Sequence, residues 1–401
     1  MTTVTPRVAE ARARAIELRE LNAFISMTDE DGAGPIVGVK DIIDVRGAVT
    51  TAGSTILPRR PAERDAEVVR RIRNHGAVVI GKTNMHEWAF GSTGINPHYG
   101  TSLNPHDRRR VSGGSSGGSA VAVATGICDW AIGTDTGGSI RIPASMCGVV
   151  GLKPTTGLVS TDGVWPLSRS LDTVGPLARD VTTVGRALEM LTGQKGFAPR
   201  RSGADLREIQ LGMPKDWAVG LDAETRAVWE EIARDVLAVE FPPLEAMSRC
   251  CLTIMYAEAG AFHRQWLATQ SEQYGPDIRE RLESTFLITG PDLVDAWTDR
   301  TRLIQEVDEA MNAVDALILP TTGCVAPFAD RPIDTAPFAK FTRPFNLTGH
   351  PAITVPTSGR GLPVGVQLVG RRGEDRRLLE IALLAEKEWG ATEGDIARPP
   401  S

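Results

Sequence analysis

Three short segments hold the residues that could do chemistry. The first, I-V-G-V-K-D-I-I, places Lys40 among apolar neighbours. The second runs from Val111 to Val123 as V-S-G-G-S-S-G-G-S-A-V-A-V. The third runs from Gly133 to Ser145 as G-T-D-T-G-G-S-I-R-I-P-A-S. Both glycine-rich segments set serines beside paired glycines, where backbone N–H groups can approach a substrate unobstructed. A nucleophilic serine needs a group to take its proton. His75, His86, His98, His106, His263 and His350 sit in no recognisable triad context. Lysine can serve if it is neutral at the working pH, and burial among Ile36, Val37, Val39, Ile42 and Ile43 lowers its pKa in that direction. These residues suggest a serine hydrolase that works without histidine. A plainer reading of Lys40 stays open, an ordinary lysine paired with Asp41 or Asp44.

Other uses of the glycines fit less well. The Gly/Ser run feeds A-V-A-V-A, which argues against a solvated linker. No G-x-x-x-x-G-K-[ST] occurs, so a nucleotide P-loop is unsupported, and G-G-S-I-R at 137 to 141 does not match a G-x-S-x-G elbow.

The elements that must position these residues alternate in type. Residues 7 to 21 have helical spacing, 22 to 27 and 36 to 45 look like strands, and 66 to 74 form an amphipathic helix. A-V-V-I at 77 to 80 is a buried strand. Residues 119 to 125 are small and apolar, which predicts a helix packed tightly on a sheet with its N-terminus toward the first Gly/Ser run. Residues 129 to 133 form the strand that delivers the second run. Residues 195 to 210 are a surface excursion, and 222 to 310 are mostly helical, with G-P-D at 275 to 277 and 290 to 292 opening helices. Residues 316 to 319, 352 to 355 and 365 to 368 are buried strands, and 377 to 389 form a last helix. This alternation implies a βαβ architecture.

Composition narrows the class. The chain has 401 residues, 41% hydrophobic and 23% charged, the profile of a soluble globular protein of one large α/β domain or two to three average ones. The net charge of -6 and the absence of a basic block disfavour nucleic acid as a partner. R-R-R at 108 to 110 reads as solvated surface. Five cysteines without a C-x-x-C disfavour a disulfide framework or a zinc site and fit a reducing compartment. Cys128 and Cys147 read as small buried hydrophobes. The N-terminus is too charged for a secretory signal, and no apolar run reaches membrane-span length, so a cytoplasmic protein is expected.

Taken together the segments resemble the amidase signature family. The likeness is carried by G-G-S-S-G-G-S-A, G-T-D-T-G-G-S-I-R-I-P-A-S-x-C-G, G-L-K-P-T at 151 to 155 and S-L-D-T-V-G-P-L-A-R-D at 170 to 180. It continues in L-I-L-P-T-T at 317 to 322, F-T-R-P-F-N-L-T-G-H-P-A-I-T-V-P at 341 to 356 and G-L-P-V-G-V-Q-L-V-G at 361 to 370. Y-G-P-D-I-R-E-R-L-E at 274 to 283 is similar too. The resemblance implies one α/β domain over 1–401, with a central mixed, largely parallel twisted sheet covered by helices on both faces. Its catalytic core would span 36–190 and 315–390, with a more variable helical segment at 195–314. By the same likeness Lys40 is the general base, Ser115 the bridging serine after a cis Gly114–Ser115 bond, and Ser139 the nucleophile. The N–H groups of Thr136, Gly137, Gly138 and Ser139 match the oxyanion hole, and no metal or organic cofactor is implied. Ser116 is a supporting hydrogen bonder or merely a small residue in a tight turn. Asp135 and Arg141 form a structural pair, with direct substrate contact by Arg141 as the alternative. Trp88, Gly91, Ser92 and Thr93 match a pocket wall, to which Trp165 and Cys324 are added.

Relative to the family, the N-terminal helical region and the middle are shortened, which suggests a more open active-site mouth or a changed oligomer surface. The expected function is hydrolysis of the C–N bond of small or medium amides, including aryl, alkyl or carbamate-like ones, with a homodimer allowed for. Two alternatives are kept: the glutamine-hydrolysing component of a tRNA-dependent amidotransferase, and a catalytically silent binding protein on the same fold.

Overall fold

Apolar runs bounded by glycine and proline become the inner strands of a single sheet in the computed structural model, which describes residues 4–199, 204–234, 236–357 and 361–390. In chain order the elements begin α1 (Pro6–Glu17), β1 (Phe24–Met27), β2 (Ile36–Lys40), α2 (Glu67–Asn74), β3 (Val78–Thr83), α3 (Gly117–Ala124) and β4 (Trp130–Asp135). They continue with α4 (Arg141–Cys147), β5 (Val150–Lys153), β6 (Thr173–Ala178), α5 (Val181–Thr192), β7 (Leu211–Pro214), α6 (Ala223–Ile232) and β8 (Leu237–Val239). Then come α7 (Leu244–Gln270), α8 (Pro276–Ser284), α9 (Gly290–Ala310), β9 (Ala316–Pro320), α10 (Arg343–Leu347), β10 (Ala352–Pro356), β11 (Gly365–Val369) and α11 (Asp375–Trp389).

Among the described residues the sheet has eleven strands in the order β1-β3-β2-β4-β6-β5-β10-β11-β9-β7-β8. Side-chain alternation splits its two faces. Val37, Val39, Val79, Trp130 and Ile132 enter the large core that α2, α5, α7 and α11 close. Ile36, Val78, Ile80 and Ala131 point the other way, into the core under α1, α3 and α4. The result is one domain with a mixed sheet covered by helices on both sides.

The parallel share is smaller than expected. β2 runs parallel to β3 and β4, and β7 to β8 and β9. The β1–β3, β4–β6, β5–β6, β5–β10, β10–β11 and β9–β11 pairs are antiparallel. A strand buried on both faces reads as a continuous apolar run whichever way its neighbour points, so its sequence carries no direction.

Several boundaries also differ. The strand expected over 36 to 45 ends at Lys40, where the chain turns. The segment 222 to 310 is helical except for β8, and β7 lies just ahead of it. The G-P-D turns do open α8 and α9, the latter through a capping box between Thr289 and Asp292. Within the surface excursion at 195 to 210, residues 200 to 203 lie outside the described residues. No helix of the described residues is long and apolar enough to cross a membrane.

Candidate active site

The carboxyl end of β2 carries the lysine. Every residue of β2 is buried, because β3 and β4 flank it and cores lie on both faces. Lys40 therefore has no exposure at all. Its Nζ lies 2.6 Å from Ser115 Oγ and 2.7 Å from Thr134 Oγ1. Burial pushes its pKa down to about 7, although Asp135 and Asp172 work in the opposite sense. Neither Asp41 nor Asp44 is its partner: Asp41 pairs with Lys82 at 2.8 Å, and Asp44 accepts from Trp165 Nε1 at 3.1 Å.

Ser115 reaches Lys40 from the loop ahead of α3, and its bond to Gly114 is cis. Glycine at 114 is required by space: a Cβ there would come within 2.7 Å of Gly94 N. α3 holds nothing larger than valine; Ser119 Oγ donates to Ile132 O of β4 at 3.1 Å, and on its other side a Cβ on Gly118 would meet Ala23 O, just ahead of β1, at 2.3 Å. Ser116 is a hydrogen bonder. Its Oγ donates to Thr134 O at 3.2 Å, and its N–H donates to Ser139 O at 3.1 Å. One residue thus ties the lysine's strand neighbour to the other serine.

Ser139 leaves β4 on the turn 136–139 and is 7% exposed at the floor of a cavity. Its hydroxyl makes no hydrogen bond among the described residues, so the structure joins Lys40 to Ser115 directly, while Ser139 is tied to this segment through its backbone carbonyl and the N–H of Ser116, the neighbour of Ser115. Asp135 organises the turn. Its carboxylate accepts from the N–H of Gly138 at 2.7 Å and of Ile140 at 3.1 Å, and from Arg141 Nε at 3.0 Å and Nη2 at 2.9 Å. Burial alone would raise that carboxyl, but the Arg141 charge outweighs it and holds the group well below the usual carboxylate range. Arg141 also donates to Asn346 at 2.7 Å and Gln367 at 2.8 Å and is wholly buried, so it is a structural pair with Asp135 and not a wall of the cavity.

This arrangement corrects one expectation about the oxyanion donors. The Gly138 N–H is engaged by Asp135 and is not available to a substrate. The N–H groups of Thr136, Gly137 and Ser139 have no partner among the described residues. Two residues not singled out from sequence hold the turn from outside. Thr342 donates to Gly137 O at 2.7 Å, and Asp172 accepts from Thr136 Oγ1 at 2.6 Å. Burial pushes the Asp172 carboxyl up to about 6. Both lie within family-like motifs, F-T-R-P-F-N and S-L-D-T-V-G-P, which were the available signal.

The cavity over Ser139 is small, about 90 Å³, and includes Gly91, Ser92, Met255, Tyr256, Arg281 and Arg343 in its lining. An outer cavity of about 430 Å³ shares Ser92 and Arg281 with it and adds Thr93. Gly91, Ser92 and Thr93 thus fall where a pocket wall was expected. Trp88, Trp165 and Cys324 do not. Trp88 is fully buried, with Trp266 at 5.3 Å and Trp165 at 6.3 Å, in a cluster that supports the wall from behind. Cys324 packs against Ile142 and Phe338. A larger cavity of about 800 Å³, between β7 and the end of α11, contains none of the candidate residues. Among the described residues no three His, Cys, Asp or Glu side chains are grouped to hold a metal ion.

Comparison with known proteins bears on this geometry. The family model Amidase matches residues 2–379. The chain is 36% identical to the A subunit of glutamyl-tRNA(Gln) amidotransferase from Symbiobacterium thermophilum, covering 92% of this chain and 84% of that protein. It is similar to a crystal structure of an amidase with a TM-score of 0.89 and 35% identity, covering 96% of each chain. It is also similar to the crystal structure of the corresponding glutamyl-tRNA(Gln) amidotransferase component from Thermotoga maritima, with a TM-score of 0.83 and 31% identity over 98% of this chain and 93% of that one.

Proposed function

The chain belongs to the amidase family, and from that premise we propose that it hydrolyses the C–N bond of a small carboxylic amide through an acyl-enzyme on Ser139. The observation that carries the reading is the buried contact of 2.6 Å between Lys40 Nζ and Ser115 Oγ, with the lysine pushed to about 7. At neutral pH about half of Lys40 is then an uncharged amine with a lone pair to offer.

The steps follow from the groups present. The Ser139 hydroxyl proton passes to Ser115 Oγ as the Ser115 proton passes to Lys40 Nζ. Ser139 Oγ bonds to the amide carbon, and the carbonyl electrons move to oxygen, opposite the N–H groups of Thr136, Gly137 and Ser139. Each such donor contributes about a hundredfold or more in rate when aimed at the developing charge. The proton returns by the same route to the leaving nitrogen, the C–N bond breaks, and an ester on Ser139 remains. Water repeats the sequence and releases the acid.

A second reading is favoured by the curated relatives, which are named as components of glutamyl-tRNA(Gln) amidotransferase. In that reading the amide is glutamine and the ammonia passes to a partner protein. The higher TM-score with a structure described as an amidase, 0.89 against 0.83, is what supports the first reading. The test is turnover of a panel of simple amides and of glutamine by the isolated chain, with Ser139→Ala as control. Ser139-dependent hydrolysis of simple amides without a partner supports the amidase. Glutaminase activity appearing only with a partner protein supports the second. No labelling of Ser139 by a fluorophosphonate would defeat both.

A further inference from the structure

Away from the site, exposed apolar side chains gather in one place. Of the nine large ones among the described residues, four fall between 286 and 297: Phe286, Leu287, Val294 and Trp297. Apolar residues scattered singly over a surface are ordinary, but a group of this kind marks a surface that something covers. Phe286 and Leu287 sit on the short turn Thr285–Leu287 after α8, and Val294 and Trp297 on the first half of α9. Leu287 is 80% exposed, so the fold itself makes almost no use of it.

Two grooves adjoin this ridge. One, of about 340 Å³, has Leu287 and Ile288 in its lining together with Arg249 of α7 and Asp295 of α9. The other, of about 470 Å³, shares Ile288 and Arg249 with it and adds Leu252 and Tyr256. Leu252 and Tyr256 also line the inner cavity over Ser139, so the grooves lie behind a wall of the candidate site.

The charges around the ridge decide what covers it. The first groove carries Asp292, Asp295 and Asp299 beside the single cation of Arg249, and the second adds Glu245. An acidic rim repels nucleic acid and an anionic membrane surface. Asp292 is engaged in the cap with Thr289, and Asp299 pairs with Arg302 at 3.0 Å. In the first groove Arg249 and Asp295 are left. Among the described residues the side chain of neither has an ion pair or a hydrogen bond, with the other or with any third group. One patch thus holds a free charge of each sign on either side of an apolar ridge. A twofold axis presents the same patch twice and needs this self-complementarity, because each unlike contact is made in both directions.

We propose that the turn Thr285–Leu287 and the start of α9 form the interface of an isologous homodimer. Leu287 of each copy lies at its centre, and Arg249 of each copy meets Asp295 of the other at its rim. An apolar centre within a charged rim is the usual build of such a surface. The second copy closes both grooves and braces the wall made by Leu252 and Tyr256. The inference does not depend on Ser139 being the nucleophile.

The experiment follows mass against concentration for the full chain by sedimentation velocity. The wild-type protein should run at twice the chain mass at about 10 µM. Leu287→Asp places a charge at the centre of the interface on a side chain that the fold leaves exposed, so it should yield a folded monomer. Arg249→Asp and Asp295→Arg each set like charges against one another twice, and each should weaken the dimer by about tenfold or more. An equimolar mixture of these two variants should recover the wild-type affinity to within about threefold, since every pair between unlike copies is again of opposite sign. That recovery also shows both variants to be folded. A wild-type chain that stays monomeric to about 100 µM overturns the proposal, and capture of a different protein by such a monomer counts against it equally. A dimer that Leu287→Asp leaves intact overturns it too. So does a mixture as weak as either variant alone, which would put the interface elsewhere.

Discussion

Lys40 Nζ lies 2.7 Å from Thr134 Oγ1, a contact made across the parallel β2–β4 pair. A neutral amine has two N–H donors and one lone pair. A donor directed at Thr134 turns the lone pair toward Ser115, 2.6 Å away. Thr134→Val keeps the shape of the side chain and removes the acceptor. It should lower kcat by about 10- to 100-fold while the thermal midpoint moves little, because the loss is one of orientation. Steady-state rates with a circular-dichroism melt check this, and an unaltered kcat would remove Thr134 from the relay.

The contrast between Lys40 and Thr134 shows how far the sequence reached. Lys40 stood out as a lysine in an apolar strand and the serines by their glycine neighbours, while the separate parts of Ser115 and Ser139 came only from the likeness to the amidase signature family; the structure places Lys40 Nζ against Ser115 Oγ. Ser116 and the Asp135–Arg141 pair were legible from the same frames. Thr134, Asp172 and Thr342 were not, since an ordinary threonine or aspartate acquires its role only when folding brings distant segments to the turn. Thr342 arrives from 205 residues away. Trp88 and Trp165 misled for the opposite reason: large aromatic side chains near a site pack with one another before they meet a ligand.

Under the proposed mechanism the lysine sets the pH profile. With Lys40 held to about 7, the neutral fraction rises tenfold per pH unit below that value and saturates above it. We expect kcat/KM to climb from pH 5.5 to about 7 and to level off by about pH 8. Asp172, pushed up to about 6, ionises within the climb and favours the charged lysine, which blunts the rise there. A profile flat from pH 6 to pH 8 would exclude a lysine base.

Stability should depend on pH through two buried lysines. Lys153, like Lys40, is pushed down to about 7 by burial, with Arg141 adding to the effect. Between 7 and the ordinary lysine value of 10.5 the unfolded chain carries protons that the folded chain does not. Stability therefore rises with pH in that window, by at most about 1.4 kcal/mol per unit for each lysine, and is lost as the pH falls through 7. The buried thiols of Cys128, Cys147 and Cys251 are raised from 9.0 by burial and reverse the trend above that value. The urea midpoint should increase from pH 7 to about pH 8.5, and Lys153→Met should flatten the increase. A midpoint that declines across the whole interval would contradict the assignment.

The turn itself tolerates no side chain at Gly138. Its φ is +130°, and a Cβ there would lie 2.2 Å from Thr342 Oγ1 and 2.8 Å from Ile142 Cδ1. Gly138→Ala must displace Thr342, which releases Gly137 O, and must rotate the N–H that Asp135 holds. Under the proposed mechanism this displaces the turn that carries the N–H groups of Thr136, Gly137 and Ser139, so kcat should fall by about a hundredfold or more. Gly157→Ala is the control: its φ is also positive, at +87°, but a Cβ there meets nothing within 4 Å. That variant should cost about 1 kcal/mol of stability for the left-handed backbone and leave turnover unchanged. Parallel melts and rates on the two variants separate backbone strain from misaligned donors. If Gly138→Ala turns over substrate as well as Gly157→Ala does, the turn 136–139 is not where the charge develops.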